Sequence, residues 1–205
     1  MRKENYMNLV DLQPAIESVS ASLVVTDLRE RTYLATYPGM ISIGATKEVT
    51  NEVKFYQLSA LVYGWMPRIA RIDPLHVSAA VVALGEAISA TDMNYQLVPL
   101  KSISDCLRSV VGASKLLHFA NPNIFPIWDR NIEVFRKNPG SDITSASQYM
   151  AYVSEVHSIQ AEAGFAEFYI EFSDVYSARL IASGIPAYSI THVRAIEAAA
   201  FELTN

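Results

Sequence analysis

The sequence lacks several features that mark particular classes of protein. Cys106 is the only cysteine among 205 residues, which excludes an internal disulfide and a cysteine-ligated metal cluster. The longest apolar run, around residues 77–84, is too short to span a bilayer, and the N-terminus lacks the apolar core of a secretory signal. There is no glycine-rich phosphate loop, no dinucleotide fingerprint and no metal-ligand spacing of histidines. We therefore predict a cytoplasmic protein without membrane contact, cofactor or metal ion.

Charged side chains are also scarce, at 18% of the chain, whereas hydrophobic residues make up 51%. This balance excludes an intrinsically disordered chain and predicts a large core. The net charge of -5 argues against indiscriminate binding to nucleic acid, because such binding depends on neutralising phosphates. A local basic face that binds DNA is still compatible with this charge.

Helical periodicity dominates from residue 54 onward, because apolar residues recur there at three- and four-residue spacing. Pro67 is expected to end the first of these helices. Ser145 is expected to cap the helix that contains Tyr149, and Ser189 to cap the last helix. The helix after Pro74 is expected to be buried nearly all round. Helices are predicted over residues 55–65, 74–88, 101–121, from 129, over 149–159, over 165–180 and over 190–203.

The first fifty residues have a different pattern. A helix is predicted to start near Pro14, but a proline and two glycines between residues 37 and 44 punctuate the next segment. Met40, Ile41 and Ile43 predict at most a short strand. The fold class is therefore all-α, a single compact multi-helix domain with a partly irregular N-terminal segment over residues 1–50 and a helical core over 54–205.

The predicted helix 101–121 places three cations on one face. On a helical wheel Lys101, Arg108 and Lys115 recur every seven residues, and Phe119 lies on the same side. The opposite face is apolar and includes Ile103, Leu107, Val110 and Leu117. One interpretation is a solvated face on which Asp105 pairs with Lys101 or Arg108, and the other is a nucleic-acid-binding stripe.

Gly112 lies between the last two of these cations. Glycine inside a helix costs about 1 kcal/mol relative to alanine. This position therefore predicts either a break of the helix into a hairpin or the close approach of another backbone segment or a ligand.

Two short stretches next to each other carry the most specific signal. Val-Val-Gly-Ala-Ser-Lys at 110–115 is followed by Phe-Pro-Ile-Trp-Asp at 125–129 and by Ile132. Over residues 108–136 this pattern resembles the helix-hairpin-helix DNA glycosylase superfamily. In that superfamily a glycine-bearing hairpin holds a DNA phosphate through backbone N–H groups, and a Pro-x-Asp element presents a catalytic aspartate.

The resemblance implies specific roles for individual residues. Lys115 would be the amine nucleophile that forms a Schiff base with the deoxyribose, and Asp129 the carboxylate that supports positive charge as the glycosidic bond breaks. Gly112 would belong to the hairpin. Nucleic-acid contacts are expected at Arg108, Gly112, Ser114, Trp128 and Arg130.

Each of these residues also has a structural interpretation. Asp129 is well placed to cap a helix by accepting backbone N–H bonds. Trp128 and Phe125 could stack on a flipped base, but core aromatics are commoner. Ser114, His118 and Asp129 invite comparison with a catalytic triad, although no strand-elbow motif accompanies them.

Two functions from different classes are compatible with these residues. The first is a nucleic-acid-binding protein of the DNA-glycosylase type, which excises bases with Lys115 and Asp129 or is an inactive relative. The second is a non-catalytic helical module that binds a protein partner, in which residues 121–129 form a structural connector.

Overall fold

The computed structural model describes residues 7–66, 68–136 and 142–204, and all regular secondary structure within them is helical. The all-α prediction is confirmed. Among the described residues, no helix combines the length and apolar character needed to cross a bilayer. The helices are α1 Leu9–Leu12, α2 Pro14–Ala21, α3 Leu28–Ala45, α4 Asn51–Trp65, α5 Val77–Ile88, α6 Leu100–Leu107, α7 Val110–Ala120, α8 Arg130–Phe135, α9 Ala146–Gln160, α10 Phe165–Ala182 and α11 His192–Glu202, with a 3-10 turn over Tyr95–Leu97.

The chain groups into two compact units. The first unit comprises residues 1–37, 129–141 and 154–205, and the second comprises residues 38–128 and 142–153. Helices α3 and α9 each contribute residues to both. The assignment of all 205 residues to one domain stays a prediction.

The first unit is built around α10 and α11. Helix α2 packs against both of them, and α11 also contacts α8 and α1. Ring contacts run along α10 because its aromatic residues recur at three- and four-residue spacing, and they join Phe165, Phe168, Phe172 and Tyr176. The guanidinium of Arg179 binds the carboxylate of Glu202, which fixes α10 to α11.

The second unit is built around α7. This helix contacts α4, α5 and α6, and all its residues except Val111 are buried. The predicted apolar positions Ile103, Leu107, Val110 and Leu117 are all in the core. Packing on three sides thus makes α7 the interior helix of this unit.

The N-terminal region is more helical than predicted. Met40, Ile41 and Ile43 lie in α3, so the predicted short strand is wrong. The helix expected near Pro14 is confirmed as α2, with this proline at its first position. The longer irregular stretches of the described N-terminal region are residues 22–27 and 46–50.

Some helix ends also differ from the prediction. The hydroxyl of Ser145 accepts the N–H of Gln148, as expected of a cap. Helix α11 is capped by Thr191 and not by Ser189, because the backbone turns helical two residues later. Helix α5 begins at Val77, and Val82 on its outer face is 61% exposed. The prediction that this helix is buried nearly all round is therefore wrong. Pro67 lies outside the described residues.

Candidate functional site

The turn between α6 and α7 replaces the continuous helix predicted for 101–121. Arg108 adopts the left-handed conformation with φ 51° and ψ 34°, which ends α6. Ser109 then caps α7, because its hydroxyl accepts the N–H of Gly112 at 2.9 Å. Gly112 therefore lies in the first turn of α7 and not in the hairpin itself, which corrects its predicted place.

Groups from α4 and from the loop after it cap the C-terminal end of α6. The backbone N–H of Asp73 donates to the Cys106 carbonyl at 2.8 Å, and the Tyr63 hydroxyl donates to the Leu107 carbonyl at 2.8 Å. A Cβ atom on Gly112 would lie 3.1 Å from the same hydroxyl. The group closest to Gly112 is thus the Tyr63 side chain, whereas the sequence predicted a backbone segment or a ligand.

Arg108 lies in this turn, and the loop that Asp73 fixes to the end of α6 carries Arg68 and Arg71. We name these three exposed arginines the basic turn. The Arg108 guanidinium binds the Asp73 carboxylate at 2.8 Å, while 68% of its side chain stays exposed. Arg71 lies two residues before Asp73, which is itself fixed to α6. Burial raises the pKa of the Tyr63 hydroxyl, and the charge of Arg68 opposes that rise, so Arg68 acts on the group that caps α6.

The basic turn belongs to the less acidic unit. The second unit contains seven Lys and Arg and seven Asp and Glu, so the net charge of -5 comes entirely from the first unit. The overall negative charge therefore does not describe the surroundings of these arginines. This division was hidden in the sequence because each unit is assembled from separate segments.

The predicted stripe of cations is not a single surface. Lys101 pairs with Asp105 at 2.5 Å on the exposed side of α6, as the solvated-face interpretation expects. Lys115 instead is 8% exposed and its Nζ atom lies 5.2 Å from the centroid of the Trp65 ring. Phe119 is fully buried against the same ring. Burial of Lys115 and Phe119 follows from the packing of α7 against three helices.

The Lys115 amine packs against an indole ring and is largely withdrawn from water. The face of an indole ring attracts an ammonium group, and this attraction strengthens away from water. A Schiff-base nucleophile needs a neutral amine that reaches its substrate. The nucleophilic role of Lys115 stays a prediction, and the observed contacts favour a packing role.

Asp129 caps α8. Its carboxylate oxygen accepts the N–H groups of Asn131 at 3.0 Å and Ile132 at 3.3 Å, which confirms the predicted cap. The residue is half-buried, and Arg130 after it is exposed. A catalytic role for Asp129 stays a prediction.

Buried hydrogen bonds hold the connector between α7 and α8. The Asn121 side-chain amide donates to the carbonyls of Ala87 at 3.0 Å and Ala90 at 3.1 Å, at the end of α5. Nδ1 of His118 lies 2.8 Å from the Phe125 carbonyl, and the Tyr149 hydroxyl donates to Pro126 at 3.0 Å. A segment without regular structure is thus fixed at several points within the second unit.

Two residues predicted to contact nucleic acid lie inside this unit. Ser114 and Trp128 have no exposed surface. The Ser114 hydroxyl accepts the Trp128 N–H at 3.2 Å, and the Trp128 ring packs 5.8 Å from that of Tyr149. A nucleic-acid contact does not fit either position, and the core interpretation of Trp128 and Phe125 is confirmed.

The side chains suggested for a triad engage backbone groups. The Ser114 hydroxyl lies within hydrogen-bond distance of the Val111 and Trp128 carbonyls, and His118 binds Phe125. Over the described residues, no group of three or more His, Cys, Asp or Glu is placed to hold a metal ion.

No protein-family model matches the chain, and no curated protein or solved structure shows significant similarity to it. Function must therefore be inferred from the geometry of these groups. Arg68 and Arg71 were missed from sequence because they lie about forty residues before the turn. The available signal was two arginines in one loop rich in exposed residues.

Proposed function

We propose that this protein binds nucleic acid through the basic turn and does not excise bases. The observation that carries the proposal is that the loop hydrogen-bonded to the C-terminal end of α6 carries two exposed arginines, Arg68 and Arg71, while the exposed Arg108 ends α6, in a unit of zero formal charge. Guanidinium groups form two parallel hydrogen bonds with phosphates, and exposed arginines on one surface supply the attraction that phosphate binding needs.

The contacts of Lys115 and Asp129 support binding without excision. Lys115 is buried, and its amine packs against the Trp65 ring. Asp129 uses its carboxylate to cap a helix. Hydrogen bonds within the second unit hold residues 121–128, which fits the structural role that the non-catalytic interpretation gives this connector.

Binding can be measured by fluorescence anisotropy with labelled duplex and single-stranded DNA at several salt concentrations. The test variant is Arg68→Glu/Arg71→Glu. Its affinity should fall at least about tenfold, and the slope of log affinity against log salt should shrink by about 2, since each lost phosphate contact removes about 0.9. Arg29→Glu/Arg31→Glu makes the same charge change on exposed arginines of the first unit and should change affinity less than about twofold.

The proposal fails if the wild-type protein binds neither DNA at low salt. It also fails if the two double variants weaken binding equally, because net charge alone would then explain the effect. Retained far-ultraviolet circular dichroism confirms that each variant is folded.

A protein partner is the second candidate, and exposed apolar side chains favour it. Ile69 is 85% exposed and Leu75 is 89% exposed, in the loop that carries Arg68 and Arg71. An acidic, apolar protein segment would match such a surface. A photo-crosslinking amino acid in place of Ile69 distinguishes the partners, because nucleic-acid adducts are removed by nuclease and protein adducts by protease. The same amino acid in place of Arg31 is the control.

A further inference from the structure

The Asp73 carboxylate binds the Arg108 guanidinium in the free protein. One carboxylate oxygen lies 2.8 Å from a terminal guanidinium nitrogen, and the other accepts the N–H of Leu75 at 3.1 Å. The Arg108 hydrogen bond and the Leu75 N–H hold the pKa of Asp73 below its ordinary value. The carboxylate is therefore charged at neutral pH and faces the arginine that a phosphate would use.

Backbone contacts fix Asp73 independently of that ion pair. Its N–H donates to the Cys106 carbonyl at 2.8 Å, and its own carbonyl lies 3.5 Å from the Cys106 sulfur. The Arg108 side chain remains 68% exposed. Arg108 can thus exchange one anionic partner for another while the loop stays in place.

Carboxylate and phosphate oxygens compete for the same N–H donors of a guanidinium group. The other ionisable groups that act on Asp73 are His76 and the Cys106 thiol, while Arg68 and Arg71 lie on the same loop and the Lys101–Asp105 pair lies on α6. Arg68 and Arg71 lie in the loop that also positions Asp73. The loop therefore supplies both the arginines that attract a polyanion and the carboxylate that masks Arg108.

We propose that Asp73 masks Arg108 as an internal competitor, and that nucleic-acid phosphate displaces its carboxylate when the basic turn is occupied. This inference rests on the proposed nucleic-acid-binding function. The exchange breaks one exposed ion pair and forms another, so the mask lowers affinity without preventing binding. Arg108 then contacts phosphate in the complex and carboxylate in the free protein.

Asp73→Asn tests the mask with little structural change. Asparagine keeps the side-chain oxygen for the Leu75 N–H and the backbone N–H for Cys106, but it removes the charge that holds Arg108. Affinity for the duplex should rise about two- to fivefold, the range expected for releasing an exposed ion pair. The log–log salt slope should stay close to that of the wild type, because Arg108 contacts phosphate in both complexes.

Asp105→Asn is the matched control, because it removes the same charge from the neighbouring exposed pair with Lys101. Equal gains in the two variants would overturn the mask, since a general charge effect would explain both. The gain must also disappear when Asp73→Asn is made together with Arg108→Gln, and a gain that persists there overturns it as well.

The outcomes separate this inference from the proposed function. Wild-type binding that is lost in Arg68→Glu/Arg71→Glu, with no specific gain in Asp73→Asn, contradicts the mask and keeps the function. Absence of binding by both wild type and Asp73→Asn contradicts both. Equal melting temperatures of wild type and Asp73→Asn show that the loop is intact.

Discussion

The Nζ atom of Lys115 lies 5.2 Å from the centroid of the Trp65 ring, which links α7 to the last turn of α4. A partly desolvated cation over an indole ring is stabilised by about 0.5 to 2 kcal/mol. The contact explains how a lysine is accommodated on an interior helix.

The Lys115–Trp65 contact predicts energetic coupling between the two residues. Lys115→Gln in the wild-type protein should lower the free energy of unfolding more than the same change made in a Trp65→Leu background. The coupling should be about 0.5 to 2 kcal/mol in a double-mutant cycle measured by urea denaturation. Additive effects would contradict the contact.

Wild-type protein should also give no adduct with abasic or damaged duplexes under borohydride. A trapped adduct that Lys115→Gln abolishes would instead restore the nucleophilic role. The catalytic prediction for Lys115 would then replace the packing role proposed here.

The two roles predicted for Asp129 differ in whether they need its negative charge. A cap needs only an acceptor oxygen, so Asp129→Asn should change the free energy of unfolding by a few tenths of a kcal/mol, on the order expected for exchanging good caps. Asp129→Ala loses the oxygen that accepts both N–H groups and should cost about 1 kcal/mol. If asparagine destabilises as much as alanine, the cap is not the main role of this residue.

The spacing of apolar residues over 101–121 correctly predicted which of them lie in the core. It did not predict that residues on the opposite side of the wheel are buried as well. The wheel for residues 101–121 assumed one continuous helix, but Arg108 breaks it. Val110 and Leu117 were still placed correctly, because an apolar residue is buried on either helix. Lys115 and Phe119 were wrongly predicted to lie on the exposed side of the helix. Their burial depends on the packing of α4, α5 and α6 around α7, and the spacing of apolar residues does not reveal such packing.

The basic turn shows the same limit. Arg108 could be selected from sequence because it belongs to the motif stretch, whereas Arg68 and Arg71 could not. Their place beside the turn depends on Asp73, whose N–H caps Cys106. Such a contact between a loop and a helix end is a tertiary contact, which neither the composition of the sequence nor the spacing of its residues predicts.

Two glycines of α3 differ in their surroundings. A Cβ atom on Gly44 would lie 1.7 Å from the Phe119 carbonyl oxygen, whereas one on Gly39 would meet nothing within 4 Å. Gly44→Ala should therefore destabilise the protein by more than about 2 kcal/mol, because a backbone carbonyl must move. Gly39→Ala should be neutral or stabilise by up to about 1 kcal/mol through helix propensity.

Urea denaturation of both variants measures the difference, and each serves as the control for the other. Similar free energies of unfolding would show that α3 does not approach Phe119 this closely. The proline and glycines between residues 37 and 44 suggested irregular structure. At Gly44 the glycine instead meets a packing requirement within a helix.

Glu155 gives the first unit a pH dependence of defined sign. Its carboxylate accepts hydrogen bonds from Arg136 Nε at 2.6 Å and from the Met7 backbone N–H, and its side chain is 4% exposed. Burial raises its pKa above 4.5, and the Arg136 charge and the Met7 N–H only partly oppose this rise. The folded protein therefore binds this proton at a higher pH than the unfolded chain does.

A raised folded-state pKa contributes stability that is present below the unfolded value and is lost as pH rises through the folded value. The free energy of unfolding of wild type, minus that of Glu155→Gln, should therefore increase as pH falls from about 7 toward about 4. Glutamine removes the titration, and Arg136 keeps its second carboxylate partner, Glu133, so the variant should fold. Urea denaturation of both proteins across this range measures the difference. A difference that stays constant or decreases with acidification would contradict the raised pKa, and would mean that Arg136 outweighs the effect of burial.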